Sequence, residues 1–217
     1  MVYDMTGILF DLDGTLLNTL EDLMDATNYA LRQFGYPERS LEQVRRAVGN
    51  GAANQIRKSL PEGTPEETVQ QVLAVYKSYY TSHCQIKTRP YDGILEALAE
   101  LKEYPVAIVS NKPDAAVKAL CADYFPGIYA LGETAGCPRK PAADMVFKGM
   151  AAIGVDRCVY VGDSEVDVLT AKNAGMPCLC VLWGFRDKED MTTVGGTHFC
   201  ETPKQLKEKI EELIHGQ

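Results

Sequence analysis

Three short apolar runs in this chain each stop at a chemically active residue, and that pattern restricts the fold more than any other feature. Gly7-Ile8-Leu9-Phe10 stops at Asp11, Val106-Ala107-Ile108-Val109 stops at Ser110, and Cys158-Val159-Tyr160-Val161 stops at Gly162-Asp163. Short runs without polar alternation suit strands buried on both faces, as in a parallel sheet covered by helices. Residues 177–182 form a fourth run, 197–200 a short fifth, and 128–131 read as an edge strand. Helical spacing fills the gaps: Ile94, Leu95, Leu98 and Leu101, then residues 115–120, residues 145–153, and the stripe Leu206, Ile210, Leu213. Strands alternating with helices predict an α/β fold, a doubly wound parallel sheet.

One stretch breaks the alternation. Between about Thr15 and Arg89 there are helical stripes and no strand: Leu20, Leu23, Met24, Thr27, Leu31, and later Val69, Val72, Leu73, Tyr76, Tyr80. Gly35-Tyr36-Pro37 and residues 61–65 punctuate them. The expected organisation is a core of residues 1–15 and 89–217, with residues 16–88 inserted as a helical domain whose tyrosines fill its own core.

Ligands of an open parallel sheet bind beyond the carboxyl ends of its strands. Those ends carry Asp11-Leu12-Asp13-Gly14-Thr15, Ser110-Asn111-Lys112 and Gly162-Asp163-Ser164-Glu165-Val166-Asp167, with Lys140-Pro141 reading as the start of a helix just before the last strand of the three. Each motif alone has an ordinary reading as a loop, turn, cap or helix start. Together they build one site. Positions i and i+2 leave a strand on the same side, so Asp11 and Asp13 share the crevice. Asp163 adds a further carboxylate. A hard divalent cation with oxygen ligands relieves that repulsion, and Mg²⁺ accepts a few carboxylates, waters and a phosphate. A phosphate substrate accounts for the rest. Asp11 would attack phosphorus, Ser110 would hold phosphoryl oxygens, Lys140 would supply fixed positive charge, Gly14 would let the backbone come close, and Asp13 would move the proton.

Composition sets the outer limits. The net charge is −8 and no Lys/Arg run is present, which argues against a nucleic-acid partner. Hydrophobic residues make up 46% and charged residues 24%, as expected of a globular enzyme. The apolar start is too short for a leader or membrane span and lacks a basic stretch, so the expected location is the cytoplasm, with no membrane partner. The 7 cysteines include no Cys-x-x-Cys pair, and Cys178 and Cys180 read as strand packing rather than as a metal site.

These motifs resemble those of the haloacid dehalogenase superfamily over essentially the whole chain, insert included. The resemblance implies that Asp11 is nucleophile and Mg²⁺ ligand. It implies that Asp13 is the acid/base and binds the metal through its carbonyl, that Asp163 is the third ligand, and that Asp167 orients the ligands. Within the superfamily the chain looks closest to phosphoglycolate phosphatases, through Val48-Gly49-Asn50-Gly51, Tyr91-Asp92-Gly93 and Ser110-Asn111-Lys112-Pro113. That likeness implies a small phosphorylated metabolite as substrate, contacted by Gly14, Thr15, Ser110, Asn111 and Lys140. Gly49 and Asn50 of the helical insert would add to these, and Arg45 or Arg46 would meet a second anionic group. Asn18 and Ala142-Ala143 depart from the pattern, away from the chemistry. Asp13 disfavours a dehalogenase, since those relatives lack the second aspartate. The competing readings are a phosphomutase of the β-phosphoglucomutase type and, in another class, a phospho-receiver or a non-catalytic binding module. A monomer or a dimer is expected.

Overall fold

The computed structural model describes residues 5–216. Residues 1–4, part of the stretch that argued against a leader, lie outside the described residues, as does Gln217. In chain order the elements are β1 (Thr6–Phe10), β2 (Leu17–Asn18), α1 (Leu20–Gln33), α2 (Leu41–Ala47), α3 (Gly51–Ser59), α4 (Glu66–His83), β3 (Arg89–Pro90), α5 (Ile94–Glu100), β4 (Val106–Pro113), α6 (Asp114–Tyr124) and β5 (Tyr129–Glu133). They continue with α7 (Asp144–Ile153), β6 (Arg157–Gly162), α8 (Glu165–Ala174), β7 (Cys178–Val181), α9 (Lys188–Thr193), β8 (His198–Cys200), a 3₁₀ turn (Pro203–Gln205) and α10 (Leu206–His215). Two compact units result: one runs through Leu17 and resumes at Pro90, and the other is Asn18–Arg89.

The first unit holds a six-stranded sheet in the order β5-β4-β1-β6-β7-β8, every pair parallel. Strand alternation sends successive side chains to opposite faces. Ile8 and Phe10 therefore join Ile108, Val159 and Val161 in one core with residues of α5, α6 and α10. Leu9 joins Val109 and Tyr160 in the other, against Met145, Val146 and Met150 of α7. All five strand residues of β1 are buried, as a strand covered on both faces requires. Each large apolar side chain taken out of water contributes about 1.5–3 kcal/mol. The chain starts in mid-sheet at β1, builds outward through β4 and β5, then returns to lay β6 on the other side of β1. That reversal opens a crevice beyond the carboxyl ends of β1, β4 and β6.

Two local details differ from the sequence reading. Strand β4 does not stop at Val109: it runs on to Pro113 with a register shift, so Ser110, Asn111 and Lys112 belong to the strand itself. Lys140-Pro141 does not open a helix. Its peptide bond is cis and α7 begins only at Asp144. The Asn111 side chain binds both the N–H and the C=O of Lys140, which holds this residue in a loop.

The second unit is helical. Leu20, Leu23, Thr27 and Leu31 of α1 are buried, as are Val69, Val72, Leu73, Tyr76 and Tyr80 of α4. Its core is not wholly apolar: Gln55 Nε2 donates to Thr27 Oγ1 at 2.9 Å, and Tyr76 hydroxyl donates to Gln55 Oε1 at 3.5 Å. The buried Asp22 carboxylate accepts the N–H groups of Lys87 and Thr88, tying the end of the segment back to α1. Leu16 and Leu17, just before this unit, are buried with the sheet core. Among the described residues, no helix is long and apolar enough to cross a membrane.

Candidate active site

The sheet delivers Asp11 to its carboxyl edge. The Asp11 N–H donates to Val161 O at 2.9 Å, extending the β1–β6 ladder by one bond beyond Phe10. The chain then turns sharply on Gly14, at φ 88°. A side chain there would be strained, and its Cβ would run into the Asp163 carboxylate.

Asp11, Asp163 and Asp167 are all buried, and one carboxylate oxygen from each lies within 4.8 Å of the others. Lys140, 2% exposed, answers part of this charge. Its Nζ donates to Asp11 Oδ1 at 2.7 Å, Asp167 Oδ1 at 2.8 Å and the Tyr160 hydroxyl at 2.9 Å. Burial raises the Asp11 carboxyl to about 7; Lys140 pulls it down, while Asp167 and Asp13 push it up. Burial, then Asp167 and Asp11, push Asp163 well above the ordinary range, against the Phe185 N–H and Arg186. Burial alone would lower Lys140, but attraction to Asp11, Asp167 and Tyr160 outweighs it and the ammonium is held firmly protonated.

The oxygens divide by use. Asp167 Oδ2 accepts from the Ser164 hydroxyl at 2.6 Å and from the N–H groups of Asp163 and Ser164, and its Oδ1 faces Lys140 and Tyr160. Asp167 is therefore a brace, its oxygens filled by the protein. Asp163 Oδ2 accepts the Phe185 N–H at 2.6 Å, and among the described residues its Oδ1 has only a long contact with the Thr15 hydroxyl at 3.5 Å. Among the described residues, no hydrogen bond reaches the second oxygen of Asp11. Hard oxygen donors on Asp11 and Asp163, in a buried pocket with more carboxylates than cations, fit Mg²⁺.

The other expected residues are distributed as follows. Asp13 lies under Lys112, whose Nζ reaches Oδ1 at 2.7 Å and Oδ2 at 2.9 Å. The buried Ser110 hydroxyl accepts the Lys112 N–H at 3.2 Å. Asn111 clamps the Lys140 peptide, at 2.8 and 2.9 Å. In the helical unit, Gly49 (φ 113°) and Asn50 form the turn between α2 and α3, Asn50 standing at the start of α3. Arg45 and Arg46 both pair with Glu42 on α2.

Three features escaped the sequence reading. Lys112 was legible in principle, because it lies two positions beyond Ser110 on one strand. Tyr160, inside an apolar run, reads as core and is also a partner of Lys140. The segment Trp183-Gly184-Phe185-Arg186 carries no motif, yet it closes the site. Trp183 Nε1 donates to Thr15 O at 2.9 Å, the Phe185 N–H holds Asp163, and a Cβ on Gly184 would collide with Asp163 and Gly14.

A parallel sheet reversing at β1, with a lysine-bridged carboxylate cluster at the reversal, is the core of an α/β enzyme. Residues 8–181 match the family profile of the haloacid dehalogenase-like hydrolases, and the chain belongs to that family. It is 35% identical over 191 residues to phosphoglycolate phosphatase 1 of Pseudomonas aeruginosa, covering 82% of this chain and 70% of that one. It is 34% identical over 193 residues to the phosphoglycolate phosphatase of Rhodobacter capsulatus, covering 83% and 85%. A crystal structure from Lactobacillus delbrueckii subsp. bulgaricus, provisionally described as a phosphoglycolate phosphatase, superposes with a TM-score of 0.89 at 37% identity, over 97% and 99% of the chains.

Proposed function

We propose that this chain is a Mg²⁺-dependent phosphatase that hydrolyses a small phosphorylated acid, of the phosphoglycolate kind, through an aspartyl-phosphate on Asp11. The observation that carries the reading is the Asp11 carboxylate: it stands at the end of β1 with one oxygen held by Lys140 and, among the described residues, no hydrogen bond on the other. The likeness to phosphoglycolate phosphatases supports the substrate class. Asp11, Asp163 and the main-chain carbonyl of Asp13 would hold Mg²⁺, which when bound offsets the repulsion between carboxylates and an incoming phosphoryl group.

The protein's own residues then have defined tasks. Asp11 attacks phosphorus, the bond to the leaving oxygen breaks, and Asp13 gives that oxygen its proton. Lys140 keeps the attacking carboxylate oriented and balances negative charge on the phosphoryl oxygens. Ser110 and the backbone around Gly14 and Thr15 receive those oxygens, and Asn111 acts by fixing Lys140. Water then attacks the aspartyl-phosphate and returns a proton to Asp13, releasing phosphate and restoring Asp11. Asp167 and Tyr160 hold Lys140 in place. The helical unit, with Gly49 and Asn50, is the proposed source of selectivity among esters, and Arg45 and Arg46 its candidate anion contacts. A cytoplasmic location agrees with seven free thiols, six of them buried.

The test is turnover of 2-phosphoglycolate and p-nitrophenyl phosphate with Mg²⁺, abolished by EDTA and by Asp11→Asn. Undiminished turnover by Asp11→Asn refutes the nucleophile. A panel of phosphate esters with Arg45→Ala and Arg46→Ala follows selectivity; an unchanged KM for every ester removes the arginines from it.

A further inference from the structure

Strand β4 presents one lysine that the reaction outlined above does not use. Lys112 lies two residues beyond Ser110, and its side chain is 3% exposed. Its backbone N–H is fixed on the Ser110 hydroxyl, and its ammonium forks onto both oxygens of Asp13. Asp13 is in the opposite situation. It stands in the loop after β1, one residue before the turn on Gly14, and its own side chain is 14% exposed. A short carboxylate on a turning loop has several rotamers open to it. A buried cation contacting both oxygens selects one and sets the plane of the carboxylate.

The neighbouring residue works in the same manner. Asn111 fixes Lys140 by two hydrogen bonds to its peptide, and Lys140 fixes Asp11. Two consecutive residues of one strand thus serve the two aspartates, Asn111 indirectly and Lys112 directly.

We infer that Lys112 is a positioning residue, which holds the Asp13 carboxylate in the orientation needed to pass protons to the leaving oxygen and from the attacking water. The inference rests on Asp13 being the acid/base of the proposed reaction. Lys112 acts on Asp13 rather than on the substrate, because its ammonium is committed to both Asp13 oxygens.

The experiment compares the wild type with Lys112→Met, Lys112→Arg and Asp13→Asn, each with Mg²⁺, on 2-phosphoglycolate and on p-nitrophenyl phosphate. Misplacing an acid/base group by about 1 Å costs about 100-fold, so kcat of Lys112→Met on 2-phosphoglycolate falls by that order with KM nearly unchanged. p-Nitrophenolate leaves without a proton, whereas hydrolysis of the aspartyl-phosphate still needs Asp13. Lys112→Met should therefore release a burst of p-nitrophenolate equal to the enzyme present, followed by slow turnover. Lys112→Arg recovers part of the loss, and adding Lys112→Met to Asp13→Asn lowers the rate no further. A purely structural role moves neither the burst nor the additivity. A raised KM with kcat retained, or losses that multiply in the double variant, overturns the inference. If Lys112→Met does not fold, Lys112→Gln takes its place under the same criteria. Wild-type turnover is scored first, so failure of the phosphatase reading is seen separately.

Discussion

Replacing Lys140 by methionine removes a buried ammonium and leaves its partners where they are. Lys140 meets Asp11 at 2.7 Å and Asp167 at 2.8 Å, with both partners and the lysine itself buried. At an effective dielectric constant near 20, each contact represents about 6 kcal/mol of gross attraction, most of it offset by desolvation of the ions. The net figure comes from the asymmetry of such pairs: deleting one partner leaves the other charges buried and uncompensated, which costs about 3–5 kcal/mol. Methionine fills a similar volume, so little of the loss arises from a cavity. The assay is urea unfolding of metal-free wild type and Lys140→Met at pH 8 and pH 5. At pH 8 the variant should lose about 3–5 kcal/mol, detected as a lower midpoint at constant slope. At pH 5 the loss should shrink, because Asp11, already raised to about 7 by burial, takes up a proton and removes part of the stranded charge. A loss under about 1 kcal/mol at pH 8, within the range of an exposed ion pair, refutes the idea that this lysine neutralises the cluster.

Two further consequences follow from the same cluster. The folded carboxyl of Asp11 titrates at about 7 against an ordinary 3.8, so the folded state holds the extra proton between those values. Metal-free stability should therefore fall as pH rises from 5 to 7.5; Asp163, also raised by burial, adds in the same direction, and Mg²⁺ should stabilise more at pH 7.5 than at pH 5. Melting temperatures that rise over this window, or a slope unchanged in Asp11→Asn, contradict it. Gly184→Ala drives a methyl group into Asp163 and the Gly14 carbonyl; overpacking of about 1–3 kcal/mol is expected. Its Mg²⁺ affinity should weaken with it, read by titration calorimetry, and a wild-type Mg²⁺ affinity removes Gly184 from the site.

What could be read from the sequence divides along physical lines. The strands were legible because burial on both faces leaves an unbroken apolar run, and β1, β4 and β6 end or pass their motifs where the runs break. The helical stripes of α1 and α4 were legible from their spacing, although the Gln55 link to Thr27 and Tyr76 inside them was not, since a polar residue on a buried face reads as surface. Lys140 was expected beside the aspartates, where it lies, but at a helix start, because a Lys-Pro pair looks the same in a loop. Only the strand order, which sets β4 beside β1, brings Asn111 to the Lys140 peptide. Nothing local marks Gly184 and Phe185, since one acts by lacking a side chain and the other through its backbone N–H.

The strand order also settles the balance of charge. Asp11 and Asp13, two residues apart, take different lysines: Lys140 from the loop before α7 and Lys112 from β4. Arg186, the other buried cation beside the cluster, pairs with Glu165 at 3.0 Å. Four aspartates thus face two lysines, and the excess is greatest where Asp163 meets the open oxygen of Asp11. The charge left over equals that of one divalent cation, and it is concentrated on the two carboxylates that retain oxygens to offer. The lysines cannot supply it, since each is already shared out. The same arrangement that gives Asp11 and Asp13 a lysine each leaves the charge of Asp163 for the proposed Mg²⁺ to balance.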